Sequence, residues 1–543
     1  MLSFLPHRIL RASVFILTAT LTTARLKAQT ACTIQPEEHL TAVQQLIKDK
    51  KAQEAYDLAR KNADALSADT APEADFVKAQ SDLLRAGIFS RQYRRALTDA
   101  EAALKRYPQS AILNELVGWA HFSRGEISLA IAAYETALKL DPCSARIHFD
   151  IARYNHLNEQ HVSEQKQLRV AHQLAPNDPT ITKAWKEFEA NSLSASEITD
   201  RTIRYLARTD LSPKDRAAAE HDLAVTQSYS KGSCHITHPV EKTTIPMVDV
   251  GLAMTYAGLS IGLNMSFNDK PATLQIDTGA SGITISQRLA KAVGLVSEAR
   301  VSTFGVGSDG NMAEDTAHVE KLRIGALEFE NCMVHIMRSE RLHQDGLIGT
   351  DVFAPWVVTL DANHHQLRLS PLPPLPGESA ENTSLPTFGY REPATPRNRY
   401  TPPQFATWTP VYRQHHLLLF PTSVNEHPAR LFIMDTGASA QGVISIDAAR
   451  EATNVEAGGR TVVGLSGKSE SMDTGDYTLT FAHVRDQYMH VPALPLYQLE
   501  TSGGVNISGL IGFSTLQKLV ISIDYRDSLV LAIPIAKAKS SPY

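Results

Sequence analysis

The chain has 543 residues, too many for one hydrophobic core, so several domains are expected. Its net charge is −5 and no long basic run interrupts it, which argues against nucleic acid as a main partner. A hydrophobic content of 43% suits globular domains.

The segment 1–31 reads as an export signal. His7, Arg8 and Arg11 precede a short apolar stretch, Ala12–Leu21, and small residues follow up to Ala28. The stretch is too short for a membrane span, and no later segment is apolar enough to cross a bilayer, so no membrane span is expected beyond this signal. Arg25 and Lys27 blur the cleavage site, and Cys32 only faintly suggests lipid attachment. An exported protein, periplasmic or extracellular in a bacterium, is the expectation.

Residues 38–225 carry apolar side chains three and four apart in an Ala-, Leu-, Glu-, Lys- and Arg-rich background, which predicts helices. The segment repeats. Pro108, Pro142 and Pro176 are evenly spaced, and Ala103, Ala137 and Ala171 keep the same step. In the best copy Gly118, Ala130, Tyr134, Ala137 and Pro142 occupy the small, small, aromatic, small and Pro positions of a tetratricopeptide repeat, which the segment resembles in period as well. The third copy has Glu164 where Ala is expected and reads as a capping turn; a looser copy surrounds Ala55–Ala59. A generic helical bundle is the alternative. The resemblance implies a solenoid with a concave face for a protein partner or for substrate.

The rest of the chain holds a diverged duplication. Asp-Thr-Gly-Ala-Ser occurs at Asp277–Ser281 and again at Asp435–Ser439. Before each copy come an apolar run, a polar turn (Asn268-Asp269, Asn425-Glu426) and a second apolar run ending at the aspartate. After each come a short strand pattern and a short helix pattern, Gln287–Val293 and Asp447–Thr453. Gly346-Leu347-Ile348-Gly349 then matches Gly509-Leu510-Ile511-Gly512. Beyond each, an apolar run ends at the same interval, at Asp361 and at Asp524. The units are placed at 240–372 and 405–537. Between them, 373–404 is rich in Pro, Ser, Thr and Glu and reads as an extended linker.

These residues resemble retropepsin-like aspartic proteases, related in architecture to pepsin. The resemblance covers about half the chain. It implies a multidomain protein, an all-α tetratricopeptide-like solenoid followed by two all-β barrels that form a pseudo-dimeric aspartic endopeptidase. Asp277 and Asp435 would be the catalytic dyad, holding one water and one proton between them, because like charges so close cannot both ionise cheaply. Thr278 and Thr436 would bond across to the opposite loop. Gly279 and Gly437 would let two backbones crowd together, and Ser281 and Ser439 would support the carboxylates from outside. Leu347-Ile348-Gly349 and Leu510-Ile511-Gly512 would form the psi-shaped loops beneath. Ala280 and Ala438 stand where pepsin-like enzymes carry a hydroxyl donor, which implies a raised dyad pKa and a pH optimum between weakly acidic and neutral. Glycine-bearing tips at Phe304–Gly310 and Val463–Gly467 would be two flaps over a peptide or protein substrate; ordinary surface hairpins are the alternative.

No cofactor and no metal is implied. Cys234-His235-Ile236-Thr237-His238 lacks a second ligand cluster and reads as a strand edge. His364-His365 and His415-His416 read as turn and strand-edge histidines. Cys234 lies just before the first unit and Cys332 within it, and the two can pair in an oxidising compartment, whereas Cys143 reads as a packed thiol. Two other readings stay open: a peptide-binding scaffold without catalysis, and units that pair in trans as a homodimer. Intrachain pairing is preferred, because the linker easily spans a domain.

Overall fold

The computed structural model describes residues 32–34, 40–66, 71–191, 193–231, 234–238, 240–251, 259–303, 312–338, 342, 344–377, 395–438, 440–464, 467–499 and 504–535. The export segment, the first flap tip, residues 465–466 of the second, the middle of the linker and Ser439 lie outside them.

The repeat period becomes a period of helix ends. Helices Tyr93–Arg106, Ile127–Leu140 and His161–Leu174 stop just before Pro108, Pro142 and Pro176 respectively. Proline lacks the amide that would continue the helix and clashes with the preceding turn. Ser110 and Ser144, one period apart, start helices Ala111–Ser123 and Ala145–Leu157 by accepting hydrogen bonds from the amides of Leu113 and Ile147. Within a hairpin the small residues allow close approach: a Cβ added at Gly118 would stand 2.7 Å from the Tyr134 ring. The third copy is a full helical hairpin, His161–Leu174 packing on Ala145–Leu157, and not a capping turn. Its Glu164 bonds histidines instead of filling an alanine slot. Among the described residues no helix is long and apolar enough to cross a membrane.

The β-rich region keeps the duplication in its register. Strands Leu259–Phe267 and Lys270–Ile276 pair across a turn whose Asn268 and Asp269 both have positive φ, 47° and 62°. In the second copy, strands Leu417–Val424 and Arg430–Asp435 pair across a loop that opens with Asn425 and Glu426 at φ 45° and 67°. Such left-handed pairs turn the chain in the sense that strand twist favours. Gly346–Ile348 then inserts parallel to Lys270–Ile276 and antiparallel to Ile283–Ser286. Gly509–Gly512 repeats this, parallel to Arg430–Asp435 and antiparallel to Gly442–Ser445.

The two copies meet through their last strands. Trp356–Asp361 pairs antiparallel with Leu519–Asp524: Val357 faces Asp524, Thr359 faces Ser522, and Asp361 faces Val520. Asp361 and Asp524 are equivalent positions of the duplication, so each strand sees in its partner what the partner sees in it. That is the register of a twofold contact, made here within one chain. The Thr359 and Ser522 hydroxyls bond at its centre, 2.8 Å apart. One apolar core runs through both copies, from Phe267 and Leu274 through Val358 and Ile523 to Phe432.

A second core joins the repeats to the second copy. Phe122, Ile127, Tyr134 and Ile151 pack with Leu419, Leu431, Ile433, Leu494 and Leu510. Beside it, Arg124 and Arg430 bracket Glu126 and Glu451: Arg124 Nη2 is 2.9 Å from Glu451, and Arg430 Nη2 is 3.2 Å from Glu126. The repeats are therefore packed on the β region and are not a separate body on a tether.

Two expectations change here. Cys143 is not a packed thiol but is disulfide-bonded to Cys32, and a sulfur so bonded carries no thioether lipid. Cys234 pairs with Cys332, as anticipated. The end of the linker is not loose. Arg399 N donates to Glu159 O at 2.8 Å, and His161 N to Arg397 O at 3.3 Å, because the turn between two repeat helices offers backbone groups that this segment satisfies.

Candidate active site

Each Asp-Thr-Gly loop leaves the end of a strand and is locked by a psi-shaped crossing. Asp277 N donates to Ile348 O at 2.9 Å, and Gly349 N to Gly282 O at 2.8 Å. In the other copy Gly512 N donates to Gln441 O and Phe513 N to Ala438 O, both at 2.7 Å. Leu347, Ile348, Leu510 and Ile511 are buried beneath the loops.

The threonines tie the loops together reciprocally. Thr278 N donates to Thr436 Oγ1 at 3.0 Å, and Thr436 N to Thr278 Oγ1 at 3.0 Å. The same hydroxyls donate onward, Thr278 Oγ1 to Met434 O at 2.7 Å and Thr436 Oγ1 to Ile276 O at 2.9 Å. Both threonines are buried, so all four bonds are shielded from water.

This lattice brings the aspartates face to face, within hydrogen-bonding reach of each other. A Cβ added at Gly437 would stand 2.5 Å from Asp277 Oδ2, and one at Gly279 would stand 3.3 Å from Asp435 Oδ1. Only glycine fits at the tighter of these positions. Gly279 N donates to Asp277 Oδ1 and Gly437 N to Asp435 Oδ1, each at 2.8 Å. Ala438 N adds a bond to Asp435 Oδ1 at 3.1 Å. Both aspartates keep some surface open, with the rest enclosed by protein. Burial raises the pKa of both. Asp435 is pushed up to about 8, by burial first and by the charge of Asp277 second. For Asp277 the amides of Gly279 and Ala280 oppose the rise. Burial and mutual repulsion thus both favour the pair keeping a proton rather than ionising twice.

Ser281 does not reach its aspartate. Its hydroxyl donates to Asp351 Oδ2 at 3.0 Å, and Gly282 N donates to Asp351 Oδ1 at 3.0 Å. Asp351 is buried just past Gly349 and gathers both donors first. Ser439 lies outside the described residues.

Two more side chains touch the loops unanticipated. His416 Nε2 lies 3.2 Å from Gly279 O, so a histidine expected on a strand edge sits instead in the turn between strands Tyr412–Gln414 and Leu417–Val424, where it supports the acid loop of the other copy. Burial lowers its pKa against the pull of Asp351. Ser260 Oγ donates to Thr436 O at 3.2 Å from the opposite side. Asp351 was hidden because its counterpart in the duplication is Ser514. His416 carried no local signal, since its partner is remote in the chain. Of the other histidines, His235 sits on a strand edge and His364 in a turn, as expected.

The predicted flaps stand at the ends of antiparallel hairpins. Ala299–Thr303 pairs with Met312–Ile324, and Val455–Gly464 pairs with Gly467–Thr474. The first tip is outside the described residues; the second closes with Gly464 facing Gly467, and only 465–466 lie outside them.

A cavity of about 660 Å³ lies elsewhere, between the repeats and the second copy, lined by Arg94, Arg95, Arg124, Arg430, Arg450 and Glu451 among others. It has no part in the acid pair.

Comparison with known families agrees with these observations. Residues 263–354 match the family described as gag-polyprotein putative aspartyl protease, a span that holds Asp277, Thr278, Gly279, Ser281, Leu347, Ile348 and Gly349. Residues 81–145 and 118–179 match the tetratricopeptide repeat. No curated protein matches the chain. The chain thus carries a retropepsin-like aspartyl protease domain of the gag-polyprotein kind, preceded by tetratricopeptide repeats.

Proposed function

We propose that the chain is an aspartic endopeptidase whose single active site is completed by its own second copy, the two copies acting as a pseudo-dimer of retropepsin-like barrels. The observation that carries this reading is the reciprocal threonine lattice, with four bonds of 2.7–3.0 Å joining two Asp-Thr-Gly loops of one chain. A structural relic has no need of two raised, proton-sharing carboxylates at the open end of such a lattice.

The chemistry follows from the pair. With one proton between them, the ionised carboxylate takes a proton from water as the water oxygen bonds to a peptide carbonyl carbon. The protonated carboxylic acid hydrogen-bonds the carbonyl oxygen as negative charge develops there. A proton then passes to the departing nitrogen, the C–N bond breaks, and the pair returns to one proton. The higher value near 8 at Asp435 keeps the acid form populated at neutral pH, so activity should extend from weakly acidic to neutral conditions and fall as pH rises through about 8. The two hairpins would close over an extended substrate.

Export fits the two disulfides, Cys32–Cys143 and Cys234–Cys332, which persist in oxidising compartments. The repeats would serve a protein partner or substrate on whatever surface the β region leaves uncovered.

The test is cleavage of an unfolded protein by the purified mature chain between pH 4 and 8. The wild type should cut, and Asp277→Asn should lose at least about 10³-fold in kcat. A wild type that does not cut would leave the scaffold reading, and equal cleavage by both proteins would take Asp277 out of the chemistry.

A further inference from the structure

A second cluster of ionisable side chains lies far from the acid pair in sequence, where the third repeat turns. Helix Ala145–Leu157 gives His156; helix His161–Leu174 gives His161 and Glu164. His156 Nδ1 is 3.1 Å from Glu164 Oε1, and His161 Nδ1 is 2.9 Å from Glu164 Oε2. One ligand atom from each of the three lies within 4.8 Å of the others, a grouping found at no other place among the described residues.

We propose that His156, His161 and Glu164 form a binding site for a divalent transition metal, zinc above all. Tetrahedral zinc holds imidazole nitrogen and carboxylate oxygen at about 2.0–2.2 Å, which puts neighbouring ligand atoms a little over about 3 Å apart. Each imidazole nitrogen lies at 2.9 or 3.1 Å from a different Glu164 oxygen, and one atom from each residue falls within 4.8 Å of the others, so small side-chain rotations would close them on a metal. Two imidazoles and a carboxylate suit zinc, whereas calcium and magnesium ask for oxygen alone. The fourth position would be water, on the side where His156 is 41% exposed.

The surroundings are compatible with this. His161 is buried, and its Nε2 faces the Glu159 carboxylate, with Oε2 at 3.6 Å. A metal-bound imidazole usually gives its other N–H to a carboxylate, which fixes its tautomer. Metal on Nδ1 would leave the proton on Nε2, aimed at Glu159. Without metal, the same three side chains form a histidine–carboxylate–histidine hydrogen-bonded network, and that is the competing account.

The position gives the site a consequence. The backbone of the same turn holds the segment that enters the second β copy: Arg399 N donates to Glu159 O, and Asn398 Oδ1 accepts from Val162 N at 3.1 Å. Metal would therefore rigidify the junction between repeats and protease region without touching the reacting groups.

The test uses the full chain, stripped with EDTA and titrated with zinc chloride by calorimetry, then with cobalt chloride by visible absorption. The wild type should bind one equivalent of zinc at micromolar Kd or tighter, show the absorption bands of four-coordinate cobalt, and melt about 5 °C higher at hundredfold excess over Kd. His156→Ala, on a partly exposed helix position, should abolish that equivalent while still unfolding cooperatively in EDTA, and zinc should no longer raise its melting temperature. Glu164→Gln should weaken binding at least about 10-fold. Asp435→Asn should bind as the wild type does. Zinc binding that is absent from the wild type, unchanged in His156→Ala, or lost in Asp435→Asn overturns the site.

Discussion

The two Asp-Thr-Gly copies share a backbone plan but are supported in different ways. The first unit carries more of its bracing within itself. A disulfide, Cys234–Cys332, ties its leading segment to the strand Leu327–Met337, and Asp351 within the unit gathers Ser281 and Gly282. The second unit has no cysteine and Ser514 in place of Asp351. Instead its strand Arg430–Asp435, which carries the aspartate, lies under the repeat helices, with Leu431 and Ile433 packed among Phe122, Ile127 and Tyr134. The difference teaches that, beyond the bonds the two loops share, Asp277 draws on its own unit and on His416 of the other copy, whereas the strand of Asp435 is also packed on a domain from the front of the chain.

The contrast can be broken from either side. The largest effect after loss of an aspartate should come from the shared lattice. Thr436→Val removes a hydroxyl that accepts from Thr278 N and donates to Ile276 O, leaving two buried groups unpaired. A loss of about 2–4 kcal/mol in unfolding free energy is expected, with cleavage nearly abolished. Denaturant melts and kcat of the same preparation check this. Thr278→Val should behave alike, because the lattice is reciprocal.

Phe122→Ala comes next. It opens a cavity on the repeat side, and its cost of about 3 kcal/mol should lower activity, although the residue is remote from substrate. Activity that stays at the wild-type level in a folded Phe122→Ala protein would uncouple the repeats from Asp435.

A smaller effect concerns pH. Glu126 is held down at about 2, since its bonds with His121 and the charges of Arg124 and Arg430 outweigh its burial. Its folded value lies below the ordinary carboxylate value of 4.5, so its contribution is fully present above about pH 4.5 and fades as pH falls toward 2. Asp435 has the opposite sign. Its raised pKa means that stability declines from about pH 4 toward 8 as the unfolded chain ionises and the folded chain resists. Melting curves should therefore show the repeat–protease junction weakening on the acid side. Glu126→Gln should flatten that acid limb, and Asp435→Asn the decline between pH 4 and 8.

Much of this was written in the chain. The doubled Asp-Thr-Gly string, the two Gly-Leu-Ile-Gly strands and the even step of Pro108, Pro142 and Pro176 each encode a local geometry, so pattern alone reveals them. The docking of the repeats was harder, yet it left a trace. Thr273-Leu274-Gln275-Ile276 alternates polar and apolar residues, whereas Leu431-Phe432-Ile433-Met434 is apolar throughout. A strand that is apolar on both faces is covered on both. The trace is visible only when the two copies are compared with each other. Long-range partners left none: Cys143 with Cys32, His416 with Gly279, Glu159 with Arg399. Each depends on how three domains are arranged, which no local spacing encodes.

The most direct measurement is complementation between inactivated chains. Asp277→Asn and Asp435→Asn proteins are purified separately, mixed, unfolded and refolded together, and assayed on an unfolded substrate. One site built inside each chain predicts that neither variant cuts and that the mixture stays inactive while the wild type, run at the same dilution as a monomer, cuts. Cleavage by either variant alone would contradict a site that needs Asp277 and Asp435 of one chain together, and recovery in the mixture would move the pairing between chains.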